Sequence, residues 1–237
     1  MKTNKGKLYL LPNTISDGEW QNVIPEGVKE TSLPIRHFIV ENIRTARRFL
    51  RKIGFNTDFE EVEFFELNKH SLEIDIPNFI KPLQNGFDMA IISESGLPCV
   101  ADPGNIVVEL AQNQNIEVIP LVGPSSLFMA LMASGFNGQN FAFIGYLPID
   151  NGQKLKTLKH LEKSIFSHNQ TQMFIEAPYR NQKLFEFLIK NCSPQIRLCI
   201  AKEISGPKEW IKTKSINDWK KQKVDIQKQN TIFLLYK

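Results

Sequence analysis

Short apolar runs alternate with amphipathic stretches along the first half of the chain. The apolar runs predict strands over residues 7–11, 35–40, 88–93 and 117–122. Apolar residues recur at helical spacing over residues 42–53, 76–83 and 105–112. This alternation of strands with helices is typical of an α/β fold with a parallel sheet.

The pattern changes in the second half. Strands are predicted over residues 140–145, 172–176, 196–202 and 231–236. Helices are predicted over residues 127–134, 154–167, 179–191 and 216–222. The connections are longer and more polar, and the order is irregular, which favours a mixed α+β domain. We therefore predict two domains, residues 1–121 with a parallel-rich sheet and residues 122–237 with a mixed α/β arrangement.

The composition excludes a disordered or fibrous chain. Apolar residues make up 42% of the 237 residues and charged residues 23%, both near globular averages. The 29 basic and 25 acidic residues give a net charge of +4. That charge permits an anionic substrate, but it is far from the dense basic composition of a nucleic-acid-binding tail.

The cysteines, histidines and apolar runs indicate a cytoplasmic protein without a metal site. The three cysteines have no CxxC spacing, and the four histidines have no metal-ligand spacing. The longest apolar run, residues 127–133, is far shorter than the roughly 20 residues of a membrane-spanning helix. The N-terminal apolar run, residues 8–11, stops at Pro12 and is too short for a signal peptide.

Two loops rich in glycine and proline follow predicted strands. Residues 92–104 read ISESGLPCVADPG, and residues 122–126 read VGPSS. Glycine lets a backbone approach a ligand closely, proline fixes a loop, and the N–H groups at a helix start favour an anion. Because ligands of open α/β sheets bind outside the carboxyl ends of strands, the two loops can form opposite walls of one pocket. Taken singly, the first can be an ordinary tight loop and the second a helix cap.

The sequence carries no motif of the common nucleotide-binding or hydrolytic enzymes. It has no GxGxxG after its first strand, no Walker loop and no GxSxG elbow. Nucleotide hydrolysis and acyl transfer by a serine triad therefore lose support.

Ordered segments over nearly the whole chain resemble the tetrapyrrole methylase superfamily, and most closely its branch of small-subunit rRNA ribose 2′-O-methyltransferases. SESGLPCVADPG resembles the family's S-D-A-G-x-P-x-x-x-D-P-G, and ENIRTARRFLRKIG resembles E-D-T-R-x-x-x-x-L-L-x-x-x-G. The other matching segments are LYLLPNTIS, VIPLVGPSS, FAFIGYLP, FIEAPYR and AKEIS.

The resemblance implies a methyltransferase that uses S-adenosyl-L-methionine. It implies two α/β domains with the cofactor in the cleft between them, a homodimer, and rRNA or the small ribosomal subunit as partner. The cofactor wall implied by the matching positions consists of Ser93, Glu94, Ser95, Gly96, Leu97, Pro98, Ser125, Ser126, Tyr146 and Leu147.

Four departures from the family pattern leave other functions open. They are Asn13–Ser16 in place of T-P-I-G, Asn42-Ile43 in place of Asp-Thr, Glu94 in place of aspartate and Tyr179 in place of histidine. One alternative is a methyltransferase with a small, tetrapyrrole-like acceptor, although the G-x-G-P-G-D opening of those enzymes is missing. The other is a non-catalytic paralogue that binds the cofactor.

A ribose hydroxyl needs a group that accepts or relays its proton. The candidates by position are Glu41, Glu94, Asp102, Glu176 and Glu203. We predict Glu41 with Arg44, and Glu203, as the catalytic residues. Asp102 suits the task least, because an aspartate before Pro-Gly more often braces a turn.

Four arginines fall on one face of the helix predicted over residues 42–53. They are Arg44, Arg47, Arg48 and Arg51. Such a row suits contacts to phosphates. It can equally be the solvated side of an amphipathic helix.

Overall fold

The computed structural model describes residues 5–67 and 76–237. The chain divides into two units, Met1–Ser125 and Ser126–Lys237. Each unit has its own sheet, parallel in the first and mixed in the second, so the predicted α/β fold class is confirmed. The domain boundary predicted after residue 121 stays a prediction.

The strands of the first unit form a parallel sheet. They are β1 (Leu8–Leu11), β2 (His37–Val40), β3 (Glu63–Glu66), β4 (Met89–Ile92) and β5 (Val118–Pro120). Their order is β3-β2-β4-β1-β5, and every neighbouring pair is parallel. The carboxyl ends of all five strands therefore lie at one edge of the sheet. Because β1 lies between β4 and β5, the loops that follow these two strands flank the loop after β1.

Helices cover both faces of this sheet. They are α1 (Glu26–Ser32), α2 (Ile43–Lys52), α3 (Ile76–Phe79), α4 (Lys81–Gln84) and α5 (Asn105–Asn113). Successive strand residues point to opposite faces, so Ala90 packs in the core that contains α2, and Ile91 packs in the core that contains α5. Asn42 caps α2, because its Oδ1 accepts hydrogen bonds from the N–H groups of Arg44 (3.0 Å) and Thr45 (3.2 Å).

The second unit is built on a mixed sheet. Its strands are β6 (Phe141–Tyr146), β7 (Thr171–Ile175), β8 (Arg197–Lys202), β9 (Trp210–Ser215) and β10 (Thr231–Tyr236), in the order β6-β7-β10-β8-β9. Only the β6–β7 pair among these is parallel. The helices are α6 (Ser126–Ser134), α7 (Asn151–His168), α8 (Asn181–Asn191) and α9 (Ile216–Trp219). Helix α6 packs on one face of the sheet, and the other three pack on the opposite face.

The sequence pattern missed three elements and merged two. Strands β3 and β9 are edge strands that are not fully buried, so their polar residues hid them from a search for apolar runs. Helix α1 buries only Val28 and Ser32, which leaves little periodicity. The helix predicted over residues 76–83 is two short helices, because Pro82 stands in the first turn of α4 and cannot donate a helical hydrogen bond.

Candidate functional site

The loops that follow β1, β4 and β5 touch one another through their backbones. A Cβ on Gly123 would lie 2.2 Å from Cβ and 2.4 Å from Cγ of Pro12, so only glycine fits there. Gly96 has a left-handed φ of 71°, and a Cβ on it would lie 3.1 Å from the carbonyl oxygen of Pro124. The structure thus brings together the two glycine-proline loops singled out in the sequence, with the loop after β1 against them.

Asn13 joins the loop after β1 to the loop after β4. Its buried side chain donates from Nδ2 to the carbonyl oxygens of Ser93 (3.0 Å) and Glu94 (3.2 Å). Its backbone N–H donates to the carbonyl of Gly96 at 2.9 Å. The sequence analysis treated Asn13 only as a departure from the family pattern. Asn13 comes two residues after the end of β1, and this position was the signal that could have pointed to its role.

In the loop after β4, the carbonyl groups are occupied by hydrogen bonds and several N–H groups are not. Asn13 occupies the carbonyls of Ser93 and Glu94, and Ser93 Oγ donates to the carbonyl of Gly96 at 3.0 Å. The backbone N–H groups of Ser95, Gly96 and Leu97 have no hydrogen-bond partner among the described residues. Three consecutive free N–H groups in a glycine loop are suited to bind oxygen atoms of a polar or anionic ligand.

Glu41, at the carboxyl end of β2, is tied to the same loop. Its Oε1 accepts a hydrogen bond from the N–H of Glu94 at 3.1 Å, and the Thr45 hydroxyl donates to the Glu94 carboxylate. Burial raises the pKa of Glu41; the hydrogen bond from Glu94 opposes that shift, while the charges of Asp102 and Glu94 add to it. Glu41 is therefore a half-buried carboxylate that binds a proton more readily than an ordinary glutamate.

Asp102 braces the end of the loop after β4. It accepts hydrogen bonds from the N–H groups of Cys99 (2.8 Å) and Gly104 (2.7 Å), one on each oxygen. Cys99 and Ala101 both have left-handed φ values, so these bonds hold a strained backbone. The expected bracing role of Asp102 is confirmed. A cavity of about 10 Å³ beside it is lined by Glu41, Ser93 and Asp102, and its size suits one water molecule.

Ser125 and Pro98 belong to the first unit, and five predicted site residues belong to the second. They are Ser126, Tyr146, Leu147, Glu176 and Glu203. Glu203 has a left-handed φ of 50°, and its carboxylate accepts a hydrogen bond from the N–H of Asn230 at 2.6 Å. The buried Glu176 binds Arg180, with 2.6 Å between Oε1 and Nη2. Leu147 packs in the core of this unit, while the Tyr146 side chain is exposed.

The four-arginine face of α2 divides into two pairs. Arg47 lies over the rings of Phe59 and Phe64, each centroid being 5.2 Å away. Arg51 lies 4.1 Å from the Phe59 centroid and donates to the carbonyl of Thr57 at 2.9 Å. Arg44 and Arg48 are exposed, and their side chains have no partner in the described part of the chain. Of the two pairs, only Arg44 and Arg48 are therefore free to bind a phosphate.

The described residues contain no cluster of His, Cys, Asp and Glu that could hold a metal ion. His70, one of the four histidines weighed as ligands, lies outside the described residues. Among the helices of residues 5–67 and 76–237, none combines the length and apolar character needed to cross a membrane.

Curated relatives share a name that concerns ribosomal RNA. The chain is 32% identical to ribosomal RNA small subunit methyltransferase I of Streptococcus pyogenes serotype M6, over 76% of this chain and 58% of the relative. It is 27% identical to the protein of that name from Buchnera aphidicola, over 97% of this chain and 78% of the relative. The chain thus spans little more than half the length of the streptococcal protein. No family model matches the chain.

Solved structures with the same fold are tetrapyrrole methyltransferases. The methyltransferase CobJ superposes with a TM-score of 0.62 at 16% identity, over 98% of this chain and 94% of that one. Uroporphyrin-III C-methyltransferase from Thermus thermophilus, complexed with S-adenosyl homocysteine, gives 0.60 at 14% identity, over 98% of both chains. The curated relatives thus carry the name of the predicted rRNA branch, and the solved structures show the predicted fold.

Proposed function

We propose that this chain, a relative of the rRNA small subunit methyltransferases with the fold of tetrapyrrole methylases, is an S-adenosyl-L-methionine-dependent methyltransferase. Its proposed acceptor is a ribose 2′-hydroxyl of small-subunit rRNA. The observation that carries the proposal is the loop after β4, whose carbonyls are held by Asn13 and Ser93, while three consecutive N–H groups have no partner within residues 5–67 and 76–237.

The cofactor fits this loop by the chemistry of its donors. Its carboxylate and ribose oxygens need hydrogen-bond donors, and Ser95, Gly96 and Leu97 offer three from the backbone. Gly96 allows the left-handed turn of this loop against the carbonyl oxygen of Pro124, because it has no side chain. The remaining residues proposed to bind the cofactor are Ser93, Glu94, Pro98, Ser125, Ser126, Tyr146 and Leu147. When bound, S-adenosyl-L-methionine supplies an activated methyl group, so the protein mainly aligns the acceptor and excludes water.

Glu41 is our proposed proton acceptor. Its carboxylate would accept the proton that the ribose hydroxyl loses, while bound S-adenosyl-L-methionine would supply the methyl group to the ribose oxygen. Its raised pKa suits that task, and the N–H of Glu94 holds one of its oxygens in place. Arg44 is exposed two residues after Asn42 and is proposed to contact a substrate phosphate. Glu203 has weaker support, because its carboxylate already binds the backbone of Asn230.

We also propose a homodimer. Phe128, Met132 and Phe141 expose apolar side chains on α6 and β6, with Met132 83% exposed, and the rings of Phe128 and Phe141 pack edge to face. An apolar face of this kind is typical of an interface between copies. Light scattering should give twice the monomer mass, and Met132→Glu should give the monomer. A cytoplasmic location is proposed with the ribosomal substrate.

The proposed activity is tested by transfer of a labelled methyl group from S-adenosyl-L-methionine to isolated small ribosomal subunits. We expect label in the rRNA, on a ribose, and none with Glu41→Gln. Label on a base, or none on RNA while the cofactor binds, would contradict the acceptor. The tetrapyrrole-like acceptor has only the shared fold in its favour.

A further inference from the structure

The positive charge of the chain is concentrated in one segment of the second unit. Residues 202–228 contain eight lysines and four acidic residues, an excess of four, which equals the net charge of +4 for the whole chain. The rest of the chain holds 21 basic and 21 acidic residues and is neutral overall. A modest total charge therefore conceals a strongly basic region.

This segment surrounds a groove next to β8 and β9. The groove encloses about 480 Å³ and is lined by Lys202, Lys208, Glu209, Trp210, Lys223 and Asp225, among others. We call it the lysine groove. Three lysines around an aromatic ring are the combination that nucleic-acid-binding surfaces use, with cations for phosphates and a ring for bases.

Two residues that line the lysine groove, Lys202 and Trp210, are held by contacts with neighbouring residues. Lys202 donates from Nζ to the carbonyl of Asp225 at 3.1 Å and lies 5.4 Å from the Trp210 ring centroid. Trp210 packs edge to face on the buried Trp219, whose Nε1 donates to the carbonyl of Leu198 at 2.9 Å. The position of the Lys202 charge is thus fixed before any ligand arrives.

The acidic residues of the groove are engaged by backbone donors, and the other two lysines are free. Glu209 accepts a hydrogen bond from the N–H of Ser205 (2.7 Å), and Asp225 accepts one from the N–H of Gln227 (3.0 Å). Lys208 and Lys223 are exposed, and neither side chain has a partner among the described residues. Two ammonium groups are therefore available to an external anion.

We propose that the lysine groove binds the phosphate backbone of the RNA substrate, an inference that rests on the proposed function. RNA fits better than an acidic protein, because the free lysines stand around a partly exposed tryptophan ring that can stack on a base. Backbone contacts of this kind position an RNA without reading its sequence. The groove thus contributes affinity, while the chemistry belongs to the loops of the first unit.

The test is a charge reversal with a matched control. Lys208→Glu with Lys223→Glu is compared with Lys163→Glu with Lys190→Glu, two exposed lysines on α7 and α8 that change the net charge equally. Fluorescence anisotropy with a labelled small-subunit rRNA fragment is measured over a series of salt concentrations. We expect the groove variant to bind about tenfold more weakly than the control, with a salt slope smaller by about one to two. Equal affinities and slopes for the two variants would overturn the proposal, as would a wild-type protein that binds no RNA.

Calorimetry with S-adenosyl homocysteine on the same samples separates this proposal from the proposed function. Both variants should bind the cofactor product as the wild type does. If the product binds none of the three proteins, the methyltransferase proposal fails, whatever the RNA titration shows.

Tryptophan fluorescence gives a second readout. Trp20 and Trp219 are buried, at 8% and 0% exposure, whereas Trp210 is partly exposed. Unlabelled RNA should quench the wild-type emission, and Trp210→Phe should remove the quenching. Quenching that persists in Trp210→Phe would place the RNA away from the groove.

Discussion

The two units offer binding surfaces of opposite kinds. In the first, the loops after β1, β4 and β5 are fixed by hydrogen bonds and by close contacts at Gly96 and Gly123. The loop after β4 carries Glu94 and Asp102, and Glu41, which follows β2, binds to it. In the second, Lys202 of the lysine groove is held by Asp225 and Trp210, whereas Lys208 and Lys223 are exposed and have no partner among the described residues. A small ligand needs backbone donors at fixed positions, whereas a polyanion needs charge over an area. If this contrast holds, small changes in the position of the loops of the first unit should strongly weaken the binding of a small ligand.

The largest effect is expected for Glu41→Gln. Loss of the proton acceptor should lower methyl transfer by about 100-fold or more. Because burial raises the pKa of Glu41 above 4.5, the wild-type rate should fall as pH falls through that raised pKa, and the variant should lack this acid limb. The measurement is kcat/KM against pH.

Stability is the control for Glu41→Gln. A carboxyl with a raised pKa stabilises the fold most when it is protonated, and that contribution is lost as pH rises through the raised pKa. The neutral glutamine should therefore leave the unfolding temperature at pH 7 unchanged or higher. A large fall in that temperature would mean that Glu41 acts mainly as a brace.

Gly123→Ala should disrupt the contact between two loops. Its Cβ would overlap Pro12, at 2.2 Å, and relieving the overlap should cost about 1–3 kcal/mol of unfolding free energy. The affinity for S-adenosyl homocysteine should fall with it. The control is Gly138→Ala, where a Cβ meets nothing within 4 Å. Equal denaturant midpoints for the two variants would refute the tight contact.

Asn13→Ala should weaken the same site by a smaller amount. It leaves the carbonyls of Ser93 and Glu94 without their donor, which costs about 1–3 kcal/mol shared between folding and ligand binding. Asn217→Ala, on the exposed face of α9, is the control. Calorimetry should show weaker cofactor binding for Asn13→Ala only, and unchanged binding would remove Asn13 from the site.

The smallest effect distinguishes two neighbouring arginines. Arg47→Ala loses its packing on Phe59 and Phe64 and should destabilise the first unit by about 0.5–1 kcal/mol. Arg48→Ala removes no hydrogen bond, ion pair or ring contact with the described residues. Urea unfolding that gives the same midpoint for both would show that the ring contacts contribute nothing.

The fold was predictable where side chains are buried on both faces of a sheet. Strand β4 is buried at all four positions, so an apolar run sufficed to locate it, whereas β3 and β9 at the sheet edges carry polar residues and were missed. The proximity of the two glycine-proline loops was predictable, because Gly96 and Gly123 mark close backbone approaches. The role of Asn13 was not, because its partners lie 80 and 81 residues away, and only strand order brings them together.

The most direct test of the central claim is a calorimetric titration of S-adenosyl homocysteine into the wild type and Gly96→Val. Gly96 has a left-handed φ and faces the carbonyl of Pro124, so a β-branched side chain strains and crowds the loop that is proposed to hold the cofactor. We expect one molecule to bind per wild-type chain, and the variant to bind it at least about tenfold more weakly. No heat from the folded wild type at millimolar ligand, or equal affinities for the two proteins, would contradict it.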